Sequence, residues 1–107
     1  MKGQTLKGHL DMLLLAVIRD GASHGYAMIE AFKAQSGGAL DIPEGTIYPA
    51  LHRLERLGAV VSRWDDTEGR RRRVYTLTAS GRRLLDRQQR EWRAFARVVT
   101  SVVGGGS

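Results

Sequence analysis

A mainly α fold (α+β) with one β-hairpin and a long terminal helix is predicted by three observations. Apolar residues recur at helical spacing in three short segments before Gly58, and two β-like runs, Val60 to Asp65 and Arg72 to Leu77, flank a charged turn. A helical pattern then runs unbroken from about Ala79 to Val103.

The first helix spans Leu10 to Ile18, where Leu10, Met12, Leu13, Leu14, Leu15, Ala16, Val17 and Ile18 cover nearly the whole circumference. Such a helix needs two apolar neighbours, and a domain this small offers one core, so its second face is expected against another subunit. Asp20-Gly21 supplies the stop, because glycine takes the left-handed conformation cheaply. Ser23 stands where an N-cap belongs, and Tyr26, Ile29 and Phe32 follow at helical spacing until Ser36-Gly37-Gly38. Gly25 in this second helix either lets another backbone approach closely or is simply a weak helix residue.

Pro43 offers the backbone angle favoured at the first position of the third helix. Its stripe of Ile47, Leu51, Leu54 and Leu57 faces a core, and Tyr48, Pro49, His52, Arg53 and Arg56 face away. A start near Pro43 would put Pro49 inside the helix without its hydrogen bond; a start near Thr46 would leave it harmless. Glu55 is available to pair with Arg53 or Arg56.

The two β-runs form a hairpin across Asp66-Thr67-Glu68-Gly69, with Tyr75 and Leu77 on one inward face and Arg70 to Arg73 ringing the turn. Three helices and a hairpin make a winged helix-turn-helix. Thr78 can cap the last helix, about 25 residues or roughly 37 Å long. Its residues Leu85, Gln88, Trp92, Phe95, Val99 and Val102 repeat in heptad steps with one polar break, a seam that wants a partner helix. Three units follow: residues 1–78 as a DNA-binding winged helix, 79–103 as a dimerisation helix and 104–107 as a flexible tail.

In 107 residues there are 17 Lys+Arg against 11 Asp+Glu, a net charge of +6. The partner is expected to be polyanionic. Fourteen of the cations are Arg, whose fork fits phosphate and guanine edges. Four adjacent arginines at 70–73 repel one another unless something anionic compensates them.

Other functions find little support. There is no cysteine, hence no disulfide framework or thiolate metal site, and the start of the chain lacks a signal peptide's apolar core. The longest apolar run, Met12 to Ile18, is too short to span a bilayer, and a cytoplasmic protein is expected. His9, His24 and His52 lie on separate elements, and Gly37-Gly38 lacks the Lys-Ser or Lys-Thr of a phosphate loop, so neither metal nor catalytic site nor cofactor is expected.

The residues favour DNA binding in two parts. Tyr48, Pro49, His52 and Arg53 would enter the major groove, and Arg70, Arg71, Arg72 and Arg73 would grip the adjacent backbone or minor groove. A dimer with about four phosphate contacts per subunit would bind with a salt slope of about −7. The alternative is a nucleoid-type protein that coats DNA without an operator. Trp92 and Phe95, aromatic where aliphatics would pack more simply, suggest that these residues, paired from two subunits, line an apolar pocket for a planar aromatic ligand.

Leu13-Leu14-Leu15 before Gly21, His24-Gly25-Tyr26, Gly45-Thr46-Ile47-Tyr48-Pro49-Ala50-Leu51-His52-Arg53-Leu54-Glu55 with Gly58, Gly69 to Arg73, Tyr75-Thr76-Leu77-Thr78 and Gly81-Arg82 together resemble the PadR family of bacterial transcriptional regulators. The resemblance covers about Leu10 to Trp92. It implies a winged-helix homodimer on a palindromic operator, usually a repressor released by a small molecule, with Tyr48 at the family's DNA-contacting tyrosine. Thr46, His52 and Arg53 fall on the same recognition helix. The single terminal helix containing Glu91-Trp92 resembles the smaller subfamily. Val74, Thr76 and Arg71 depart from an aromatic, a cation and a proline common at those positions, the first slightly weakening wing packing and the other two shifting charge toward the wing tip.

Overall fold

The computed structural model describes Leu6 and residues 8–105. Its elements are α1 (Leu10–Arg19), α2 (Gly25–Gln35), α3 (Glu44–Arg56), β1 (Val60–Asp65), β2 (Arg72–Leu77) and α4 (Ala79–Val103). A single 3-10 turn, Thr67–Gly69, closes the hairpin tip. This is the winged helix-turn-helix that the spacing predicts. The expected tail lies partly outside the described residues, at Gly106 and Ser107.

One core unites the helices and the hairpin base. Leu14 and Leu15 of α1, Met28 and Phe32 of α2, Ile47, Leu51 and Leu54 of α3, and Val60, Tyr75 and Leu77 of the hairpin are all buried together. Each large side chain so buried contributes about 1.5–3 kcal/mol, enough to offset the weak helix propensity of short segments. α1 runs through the centre, ending where Gly21 takes φ 109°. Its other side, Leu10, Met12, Leu13 and Ala16, is only partly covered.

Two helix starts differ from the sequence reading. The cap of α2 is His24, not Ser23: its Nδ1 accepts from the Ala27 amide at 3.3 Å. Ser23 instead lends its carbonyl to the Tyr75 amide at 2.7 Å, tying β2 to the loop before α2. Pro43 is the N-cap of α3 and Glu44 its first residue, so Pro49 does lie inside the helix. Pro49 and Gly45 are both exposed, so the Gly45 carbonyl that proline leaves without a donor sits on the wet side.

β1 and β2 pair antiparallel from Val60↔Leu77 to Asp65↔Arg72. Alternation puts Val60, Ser62 and Trp64 on one face with Leu77, Tyr75 and Arg73 opposite. α4 is anchored at its start, where Thr78 Oγ1 accepts from the Gly81 amide at 2.9 Å and donates to the Gly58 carbonyl at 2.6 Å. Leu85 is buried in the domain's own core and Gln88 is partly buried, so the predicted seam is open only from Trp92 onward. Beyond that point α4 leaves the domain: the radius of gyration is 15.5 Å, against about 13 Å for a compact chain of this length. Among the described residues no helix is long and apolar enough to cross a membrane.

Candidate nucleic-acid interface

α3 divides as its sequence stripe predicts except at its end, where Leu57, expected to face the core, is the C-cap and 63% exposed, since the chain turns away there into Gly58 at φ 76°. Ile47, Ala50, Leu51 and Leu54 are buried, while Thr46, Tyr48, Pro49, His52 and Arg53 are exposed. Tyr48 is 37% exposed, and its ring end lies against Gly25 of α2: a Cβ there would stand 2.4 Å from Tyr48 Oη. The close neighbour that Gly25 admits is therefore a side chain of α3, not another backbone. Tyr48→Ala is expected to weaken DNA binding by about 1–3 kcal/mol with the thermal midpoint unchanged. Gly25→Ala should reproduce much of that loss in the same titration, because the added methyl pushes the tyrosine aside.

The wing meets this helix. His24, Gly25, Tyr26, Glu44, Tyr48 and the arginines from Arg70 to Arg73 line a concave surface of about 540 Å³. Of the α3 residues predicted to bind DNA, Tyr48 lines this cleft with the wing arginines, whereas Thr46, Pro49 and Arg53 line a separate concavity beside Leu40 to Pro43. Tyr26, which stands at helical spacing from Ile29 and Phe32, is 65% exposed here.

His24 sits at the back of that cleft. Burial, and then repulsion from Arg72, hold its pKa below the ordinary imidazole value of 6.5. A histidine whose folded pKa is depressed lets the unfolded state bind the proton first, so stability is complete above about pH 6.5 and falls as pH drops through that value. Protonation also removes the Nδ1 acceptor that caps α2. Thermal melts from pH 7.5 down to about 5 should show a falling midpoint, and His24→Asn, which keeps a capping group, should flatten that dependence.

The arginines are not equivalent. Arg53 is ion-paired with Asp11 of α1, and Arg71 reaches Asp66 at 4.0 Å. Glu55 pairs with neither Arg53 nor Arg56; it accepts from Ser62 Oγ at 2.6 Å. Arg72 Nε is buried without a hydrogen-bond acceptor among the described residues. Asp11→Asn should free Arg53 and remove a negative charge beside α3, strengthening duplex binding several-fold at low salt by fluorescence anisotropy, with the gain fading as salt rises.

An exposed helix carrying an aromatic and cations, flanked by an arginine wing on a three-helix core, defines a winged helix-turn-helix DNA-binding protein. Residues 14–87 match the Transcriptional regulator PadR-like family, and the chain belongs to that family of DNA-binding regulators. It is 44% identical over 66 residues to a transcriptional regulator of Mycobacterium tuberculosis, a match covering 62% of this chain and 59% of that protein. A transcriptional regulator from Clostridium thermocellum superimposes with a TM-score of 0.85 at 26% identity, over 92% of this chain and 97% of the other. A PadR family regulator from Eggerthella lenta gives 0.82 at 29% identity, over 95% and 88%.

Proposed function

We propose that the chain acts in the cytoplasm as a homodimeric repressor that holds a palindromic operator and is released by a small planar aromatic ligand. Residues 1–78 read DNA, 79–103 dimerise and 104–107 trail. The observation that carries this reading is the apolar row on α4 beyond the domain: Trp92, Phe95, Val99 and Val102 are exposed, Phe95 at 63% and Val102 at 75%. A lone subunit would leave that row in water, and a second copy of the same helix is its simplest cover. Thr46, Tyr48, Pro49, His52 and Arg53 then enter the major groove, and Arg70 to Arg73 clasp the backbone.

The ligand reading is supported by a cleft of about 470 Å³ between α1 and α4, lined by Met12, Leu13, Ala16, Leu85 and Trp92 among others, and a smaller adjoining one that includes Phe95. A planar aromatic stacked on Trp92 there would press on the helix that also carries Asp11.

Selection of bound fragments from the source genome, followed by competition against random duplex, tests the proposal. A specificity ratio of roughly 10³ or more is expected for an operator-binding regulator, and a ratio near one would make the protein a nucleoid-type coat instead. Titrating planar aromatics against Trp fluorescence, with Trp92→Ala as control, tests the effector arm. No quenching across a broad panel would leave Trp92 as dimer packing alone.

A further inference from the structure

The hairpin carries an aromatic side chain that DNA binding as described does not use. Trp64 is 52% exposed near the end of β1, directly across the ladder from Arg73. The Arg71 guanidinium carbon stands 4.6 Å from the Trp64 ring centroid and that of Arg73 5.0 Å. A bare tryptophan in water is costly, yet two cations cover it, and both belong to the cluster assigned to the phosphate backbone. Ser62 lies two residues earlier on the same strand face. Its hydroxyl accepts from Arg73 Nε at 2.8 Å and donates to Glu55 Oε2 at 2.6 Å, so a continuous polar chain runs from the wing to the recognition helix.

We propose that Trp64, with Ser62, is a positioning residue for DNA binding: it holds the Arg71 and Arg73 guanidiniums in a fixed stack keyed to α3, presenting the wing cations already ordered to the phosphate backbone. The proposal rests on the reading that the wing arginines contact DNA. The physical case is an entropic one. Arginine side chains lose much rotamer freedom when they bind phosphate, and a free four-arginine tip would bear that cost at each association. Stacking on an indole face, the most favourable aromatic partner for a guanidinium, meets part of it in the folded protein. The stack leaves the other guanidinium nitrogens available for phosphate, since the ring engages the plane and not the edge. The face also grades usefully: Val60, Leu77 and Tyr75 are buried at its base, Ser62 bridges to α3, and Trp64 is half-exposed toward the hairpin tip.

Preordering and contact have different signatures in salt. Removing a cation that touches phosphate flattens the dependence of binding on salt; removing the group that orders the cation weakens binding at every salt concentration and leaves the slope alone. Fluorescence anisotropy with a random-sequence duplex of about 30 base pairs reads both. Trp64→Ala is expected to lose roughly 5- to 30-fold in affinity per wing with the wild-type slope and thermal midpoint. Trp64→Phe should recover most of that loss, and Ser62→Ala should show the same signature at about 2- to 10-fold. The double variant R71Q/R73Q should instead lower both affinity and slope. Wild-type binding by Trp64→Ala beside a weakened arginine variant would overturn the positioning role. So would a slope flattened as much by Trp64→Ala as by the arginine variant, because the contacts themselves would then have gone. If the arginine variant binds as wild type, the wing reading itself fails and this proposal falls with it.

Discussion

Gly81→Ala should destabilise the domain by about 3 kcal/mol or more, although glycine to alanine in a helix ordinarily gains up to about 1 kcal/mol. The sign is decided by one contact. A Cβ on Gly81 would stand 1.9 Å from the Ala59 carbonyl oxygen and 2.9 Å from its carbon, both backbone atoms with no flexible end to move aside. That oxygen is already committed, accepting from the Thr78 amide at 3.1 Å. Relief therefore requires α4 to lift from the start of β1 by about 1 Å, in a packed interior that deforms only at high cost. Lifting would also strain the bonds that Thr78 makes to Gly58 and Gly81. For a domain of this size the expected loss corresponds to a fall in melting temperature of roughly 10–20 °C, read by circular dichroism. Gly45→Ala is the matched control: it is helical, with nothing near its missing Cβ, and should cost nothing. An unchanged or raised midpoint for Gly81→Ala would mean that the two segments are not so closely docked.

The contrast between those glycines marks what a sequence discloses. Periodicity is a local property, and it located the buried face of α3, the inward Tyr75 and Leu77 of β2, and the Thr78 cap, since each depends on residues within one turn or one strand. Gly81 against Ala59, Tyr48 against Gly25 and Arg53 against Asp11 join residues that only the fold brings near, and nothing in their spacing names the partner. Trp64 belongs to the same class. As one residue in a β-run it says nothing about two guanidiniums, which reach it through a register set by the hairpin turn. Ser23 shows the converse limit: a residue type suited to capping was displaced by its neighbour His24, because its own carbonyl was needed by Tyr75. The exposed residues of α3 could be read because amphipathic division is local. The cleft that Tyr48 lines with the wing arginines could not.

Charging the far end of α4 is expected to have the largest effect on DNA binding of any change short of unfolding. Val99 and Val102 are 39% and 75% exposed and take no part in the domain core, so Val99→Glu with Val102→Glu should leave the melting of the winged helix intact. Glutamate is also the better helix former. In the proposed dimer, two carboxylates per subunit facing their copies across an apolar seam would repel, and sedimentation should then show single subunits where the wild type is expected to pair. Separate subunits must find two half-sites independently, losing the effective concentration that tethering supplies; affinity for a full operator should fall by about 10²–10⁴. The salt slope should halve as well, from about −7 toward about −3.5, because only one subunit's phosphate contacts remain in each binding event. A duplex with a single half-site separates this from damage to the reading head: the variant and wild type should bind it alike. Equal binding to the full operator, with an unchanged slope, would show that pairing through α4 contributes nothing to recognition.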